Sequence, residues 1–131
     1  MDVTRIDQEL DILRKRYAKH VECGDNYQWI IIRDFVLPQG WNFQKTNIMF
    51  EIPSAYPVIP PDNFYVDEGL KIKATNNSPG SYTEGVEKFG KKWGQFSWHI
   101  EREWRPHADP EKGDNLLTFV LRAERRLKEL E

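Results

Sequence analysis

The chain is 131 residues long and carries a formal net charge of −2. That length suits one domain spanning residues 1–131, with enough buried surface for one core, and the near-neutral charge excludes the basic footprint of a general nucleic-acid binder. Cys23 is the sole cysteine, so an intrachain disulfide and a cysteine-based zinc site are both excluded. No apolar run approaches the ~20 residues of a membrane span, and Met1 to Arg5 carry no apolar signal-peptide region, so no membrane attachment and a cytoplasmic location are expected.

The first predicted element is a helix. Ile6, Leu10, Leu13 and Tyr17 recur at helical spacing and share one face, with Thr4 as the expected N-cap. Asp7 and Glu9 fall near its start and Arg14, Lys15 and Arg16 near its end, which suits the helix dipole. Two strands follow, Val21 to Cys23 and Tyr27 to Arg33, separated by the turn residues Gly24, Asp25 and Asn26. Leu37-Pro38-Gln39-Gly40 breaks the chain. A third strand from Lys45 or Asn47 to Ile52 alternates Ile48, Phe50 and Ile52 with polar or smaller neighbours, and a short fourth strand covers Phe64 to Val66. Between about Lys73 and Lys92 the periodicity is weak and a long ordered loop is expected. The last element is a helix from Asp114, its expected cap, to Leu130, with an apolar stripe through Leu116, Leu117, Val120, Leu121, Ala123 and Leu127. Together these elements make an α+β domain: an N-terminal helix, an antiparallel meander of about four strands and a C-terminal helix.

The segment Tyr56-Pro57-Val58-Ile59-Pro60-Pro61 cannot sit inside a sheet, because each proline fixes φ and removes a donor. It must be a rigid bend between the third and fourth strands. A helix, a strand meander and this bend, followed by Trp104-Arg105-Pro106 before a leucine-rich helix, resemble the ubiquitin-conjugating enzyme superfamily. Three stretches are similar to the prokaryotic conjugating-enzyme-like branch called family E: Leu37 to Asn42, Ile52 to Phe64, and Trp93 to His99 running into Trp104-Arg105-Pro106. The resemblance covers roughly Ile6 to Leu130.

The resemblance implies a site. Conjugating enzymes carry a Gly-x-Ile-Cys segment before their Trp-x-Pro, and laid over this chain it falls on Gly94-Gln95-Phe96-Ser97. Ser97 then stands where the family keeps its catalytic cysteine. A thiol of pKa about 8.5 is a few per cent thiolate at neutral pH, whereas a serine hydroxyl needs a general base within about 3 Å. His99 is two residues on. In an extended segment it shares a face with Ser97, but a two-residue step of about 6.6 Å exceeds hydrogen-bond reach. His107 and Asp109 lie close in sequence and could complete a cluster, with Ser97, His99 and Asp109 as its triad. The plainer reading has Ser97 in a turn and His99 packed beside a tryptophan. The family's His-Pro-Asn tripeptide is absent, and Asn76 and Asn77 lie in the preceding loop, from which they could approach the site. Cys23 reads as structural, because Glu22 and Asp25 beside it would raise a thiol pKa.

The spacing of His99, His107 and the neighbouring carboxylates matches no simple zinc pattern, so neither a metal nor another cofactor is expected. Lys88, Lys91 and Lys92 around Phe89 and Trp93 form a basic-aromatic patch that reads as a solvated rim. The expectation for function is a bacterial conjugating-enzyme-like protein without the catalytic cysteine, acting as a noncovalent adaptor rather than an enzyme. The alternative is an enzyme that forms an oxyester on Ser97. Candidate contacts are Arg14 on the exposed side of the first helix, and Phe96, Trp98 and Trp104. The partners that the resemblance implies are a ubiquitin-like protein (possibly multi-domain), an activating-enzyme-like protein and a metal-dependent deconjugating peptidase.

Overall fold

The computed structural model describes residues 2–131. Helix α1 spans Val3–Tyr17 and helix α2 Leu116–Leu127. Between them lie β1 (Val21–Cys23), β2 (Trp29–Val36), β3 (Lys45–Glu51), β4 (Phe64–Asp67), β5 (Tyr82–Lys88) and β6 (Lys91–Phe96). The strands form one six-stranded sheet in the order β1-β2-β3-β4-β6-β5, with every neighbouring pair antiparallel. The α+β architecture is the expected one, with two more strands than expected. Among the described residues, no helix is long and apolar enough to cross a membrane.

The two additional strands fall in and just beyond the stretch expected as a loop, for two physical reasons. First, β5 is an edge strand on which most side chains meet water, so it carries no apolar alternation. Second, Gly85 at φ +73° sits where the β5–β6 register shifts between Thr83 and Val86, and a bulge of this kind breaks period 2. The hairpin turns at Phe89 and Gly90, at φ +52° and +74°, a two-residue loop whose left-handed backbone a Phe-Gly pair advertises poorly.

The helices start and stop close to the expected places. Asp2, not Thr4, caps α1, accepting the Arg5 N–H at 3.0 Å. Asn115, not Asp114, caps α2 in a reciprocal box with Thr118: Thr118 N–H donates to Asn115 Oδ1 and Asn115 N–H to Thr118 Oγ1, both at 2.9 Å. Asp114 is used elsewhere, accepting the Arg105 N–H at 2.7 Å and Arg122 at 3.2 Å. Both helices pack on one face of the sheet. There Ile6, Leu10 and Leu13 meet Ile30, Ile32, Ile48, Phe50 and Phe64, and Phe119 of α2 lies 5.0 Å from Phe50.

The opposite sheet face holds a smaller cluster of Ile31, Met49, Tyr65 and Trp93. The β5–β6 hairpin tip arches over it, bringing Phe89 to 6.0 Å from Trp29 on β2. Lys88 pairs with Glu51 at 3.0 Å and Lys91 with Asp67 at 2.7 Å, while the Lys91 ammonium stands 4.1 Å above the Trp93 ring.

A buried carboxylate ties the helical layer together. Glu9 is fully buried and accepts three hydrogen bonds: from Arg5 Nε at 2.7 Å, from the Leu116 N–H at 2.6 Å, and from the Tyr56 hydroxyl. Arg5 in turn donates from Nη1 to the His107 carbonyl at 2.5 Å. One carboxylate thus joins α1, the proline bend and the first turn of α2, whose free N–H groups favour an anion. Burial, reinforced by the Glu9 charge, raises the Tyr56 phenol far above its ordinary value.

Removing one partner of such a buried set leaves the others unpaired, so Glu9→Ala is expected to cost about 3–5 kcal/mol in urea unfolding. Tyr56 adds a pH dependence. Its folded-state pKa is raised, so its contribution is fully present below the unfolded tyrosine value of about 10 and is lost as pH rises above it, where only the unfolded chain ionises. The fall in unfolding midpoint between pH 8 and pH 11 should therefore be smaller in Tyr56→Phe than in the wild type.

Candidate functional site

The segment from Phe96 to Trp104 leaves the end of β6 and returns towards the proline bend. Ser97 N–H donates to the Ser81 carbonyl at 2.8 Å, which extends the β5–β6 pairing by one residue and leaves the Ser97 side chain exposed. Trp98 is locked to Asn63 in both directions: its N–H donates to Asn63 Oδ1 at 3.0 Å and its carbonyl accepts from Asn63 N–H at 2.9 Å. Its half-buried ring stands edge-on to Phe64 at 6.2 Å, with the indole N–H buried and unpartnered. Trp104 closes the segment. Its indole N–H donates to the Pro57 carbonyl at 2.7 Å and its ring lies 6.1 Å from Tyr56, so it pins the bend, whose Tyr56–Pro57 bond is cis.

The glycine of the Gly-x-x-Ser stretch has a steric role. A Cβ on Gly94 would stand 2.0 Å from the Tyr82 hydroxyl and 2.4–2.5 Å from its ring carbons, so Tyr82 crosses directly over β6 at that point. Tyr82 also packs edge-on against Phe96 at 5.2 Å. Only glycine permits this approach, and the ring of Phe96 is stacked on Phe64 at 4.7 Å beneath it.

These positions bring some sequence candidates together and separate others. Phe96 and Trp104 are 1% and 4% exposed, which corrects the expectation that they offer a contact surface: both rings serve the core. Trp98 and His99 remain accessible in part or in full. Arg14 is exposed but close to Cys23 and β1, across the sheet from Ser97. No hydrogen bond joins Ser97 to His99, and the triad with Asp109 does not form. Asp109 instead builds a local turn, its N–H donating to His107 Nδ1 at 2.9 Å and its carboxylate accepting from Glu111 N–H at 3.0 Å. The carboxylate beside His99 is Asp62, with Oδ1 2.5 Å from His99 Nδ1. Sequence reasoning missed Asp62 because it lies 37 positions away. The available signal was its place directly after the proline bend, next to Asn63. Asn76 and Asn77 build the turn from Ile72 to Asn77 beside Trp41.

A carboxylate only accepts, so in the Asp62 contact it is His99 Nδ1 that carries the donated proton, and the ring is oriented by that bond. Glu101 adds a third group. The ligand atoms of Asp62, His99 and Glu101 all lie within 4.8 Å of one another, an N/O donor set suited in type to a divalent cation, but all three residues face solvent. Cys23 is half-buried on β1. Burial raises its thiol above the ordinary value, and Arg14 only partly offsets this. Four strand steps separate β1 from β6, about 19 Å at the usual spacing.

The sequence matches the family model described as Prokaryotic E2 family E over residues 6–130. The chain belongs to this family. Searches of curated proteins and of solved structures returned no match. In this family E protein the match runs from Ile6, the first buried apolar residue of α1, to beyond the end of α2, so it takes in most of α1, all of α2 and all six strands.

The His99 contact is testable by nitrogen-15 NMR of the imidazoles. The wild type should show His99 in the Nδ1–H form, and Asp62→Ala should return it to the Nε2–H majority expected of a free imidazole. An unchanged tautomer would contradict the pairing.

Proposed function

We propose that this family E protein is a noncovalent adaptor of a bacterial ubiquitin-like modification pathway, working in the cytoplasm and holding its partners without forming a thioester. One observation carries the reading: the chain's only thiol is the half-buried, pKa-raised Cys23 on β1, while the segment after β6 that resembles the family's active stretch carries Ser97. A thioester carrier needs an accessible, low-pKa thiol at its site. The partners proposed are a ubiquitin-like protein, its activating-enzyme-like protein and a metal-dependent deconjugating peptidase. Trp98 and His99 on one side, and Arg14 on the other, are the accessible candidates for contact with them.

A second reading has the protein form an oxyester through Ser97. The His99–Asp62 pair favours it, because it sets an imidazole oriented through Nδ1 two residues from an exposed hydroxyl. Against it stands the missing hydrogen bond between Ser97 and His99.

Incubation with the cognate ubiquitin-like protein, its activating enzyme and ATP separates the two. The adaptor reading expects saturable binding by titration and no covalent product. A hydroxide-labile, reductant-resistant adduct that Ser97→Ala abolishes would replace it with the oxyester reading. A reductant-sensitive adduct lost in Cys23→Ser would contradict both.

A further inference from the structure

We propose that the groove beside the β2–β3 connection is a docking site for an acidic peptide segment of a protein partner, one carrying an aliphatic or aromatic residue flanked by carboxylates. The groove has a volume of about 590 Å³, enough for one or two side chains of an extended peptide. Val36, Pro38 and Phe43 give it an apolar surface, and Val36 is 69% exposed on a strand end with nothing over it. Gln39, Gln44, Lys45 and Lys73 supply its polar rim.

Charge decides the kind of occupant. No carboxylate lines the groove. Among the described residues neither Lys45 nor Lys73 belongs to an ion pair. With two lysines and no carboxylate in its lining, the groove carries a local excess of positive charge in a chain of net charge −2. Two ammonium groups and two side-chain amides can donate hydrogen bonds to carboxylates, while Val36 and Phe43 take an apolar anchor between them. Two lysines are too few to track a nucleic-acid backbone, which gains affinity by neutralising many phosphates.

The groove is also preformed. Its loop closes through Leu37 N–H to the Gln44 carbonyl at 2.9 Å. Trp41 anchors it to the end of α2, its indole N–H donating to the Leu127 carbonyl at 2.8 Å. The Asn42 side chain grips the neighbouring segment in both directions, donating to the Gly69 carbonyl and accepting the Lys71 N–H, each at 2.8 Å. Lys73 N–H donates to the Gly40 carbonyl at 2.9 Å, which fixes one of the two lysines against the loop at its backbone. Gly40, at φ +110°, lets the Leu130 side chain close over it. A surface held this firmly loses little conformational freedom on binding. The inference is independent of the proposed adaptor role, since none of these residues belongs to the segment from Phe96 to Trp104.

A random heptapeptide phage library panned on the whole protein, with counter-selection on a Lys45→Glu/Lys73→Glu variant, tests it. Both lysines are exposed, so the variant should keep the wild-type circular dichroism and melting temperature. Enriched peptides should carry Asp or Glu on both sides of Leu, Ile or Phe. Synthesised with a fluorophore, they should bind at least tenfold more weakly to the charge-reversed variant and to Val36→Asp. They should also lose affinity with added salt and shift the amide resonances of Val36 to Lys45 and of Lys73. No enrichment, enrichment of peptides without carboxylates, equal binding to both variants, or displacement of the peptides by single-stranded oligonucleotide would each overturn the proposal.

Discussion

The Glu9 carboxylate is the interaction on which the layout of the domain depends. Each of its three donors comes from a different part of the chain: Arg5 from its own helix, Tyr56 from the proline bend, and the Leu116 N–H from the opening turn of α2. Apolar packing alone would let α1 and α2 slide on the sheet, because dispersion and burial are not directional. A buried anion is different, since it must have its donors in place or suffer the cost of an unpaired charge. Glu9 therefore sets where α2 starts and where the bend lies. Trp104 repeats the logic from the other end, with its indole N–H on the Pro57 carbonyl. The bend is held on both sides, and the segment that follows β6 is held with it.

That arrangement explains the character of the candidate site. Asp62 and Asn63 emerge from the pinned bend, and Asn63 locks the Trp98 backbone in both directions. His99 is then placed beside Asp62 by the same rung. The site is a strip tied to the bend at Trp98 and His99, with an exposed hydroxyl and an oriented imidazole. The strongest nucleophile of the chain lies on the opposite edge of the sheet, half-buried. Where Gly94 passes beneath Tyr82, the strand is covered by an aromatic ring. A strip that positions groups but carries no thiol is what the proposed adaptor role requires.

Much of this was legible in the residues. Ile6, Leu10 and Leu13, and the stripe from Leu116 to Leu127, have the helical period because those faces are buried. The strands β2 and β3 could be read for the same reason, one from its isoleucine run and the other from the alternation through Ile48 and Phe50. The bend announced itself by chemistry, since prolines exclude a sheet interior. The β5–β6 hairpin did not, because an exposed edge with a glycine bulge has no apolar period to show. The caps slipped to Asp2 and Asn115, each beside or near the expected residue, since neighbouring Asp, Asn and Thr are equally able to accept a first-turn N–H. Glu9 looked like one more charge near a helix start. Its burial, and the Asp62–His99 contact, depend on chain segments that meet only in three dimensions. The same is true of Phe96 and Trp104, aromatic residues whose type suits a core and a contact surface equally well.

The most direct test of this account is a double-mutant cycle in urea between Glu9→Gln and Tyr56→Phe. The account predicts a coupling free energy of about 1 kcal/mol or more, because the two groups share one buried hydrogen bond within a network. Strictly additive losses would contradict it, and would mean that Glu9 does not hold the proline bend against the helices.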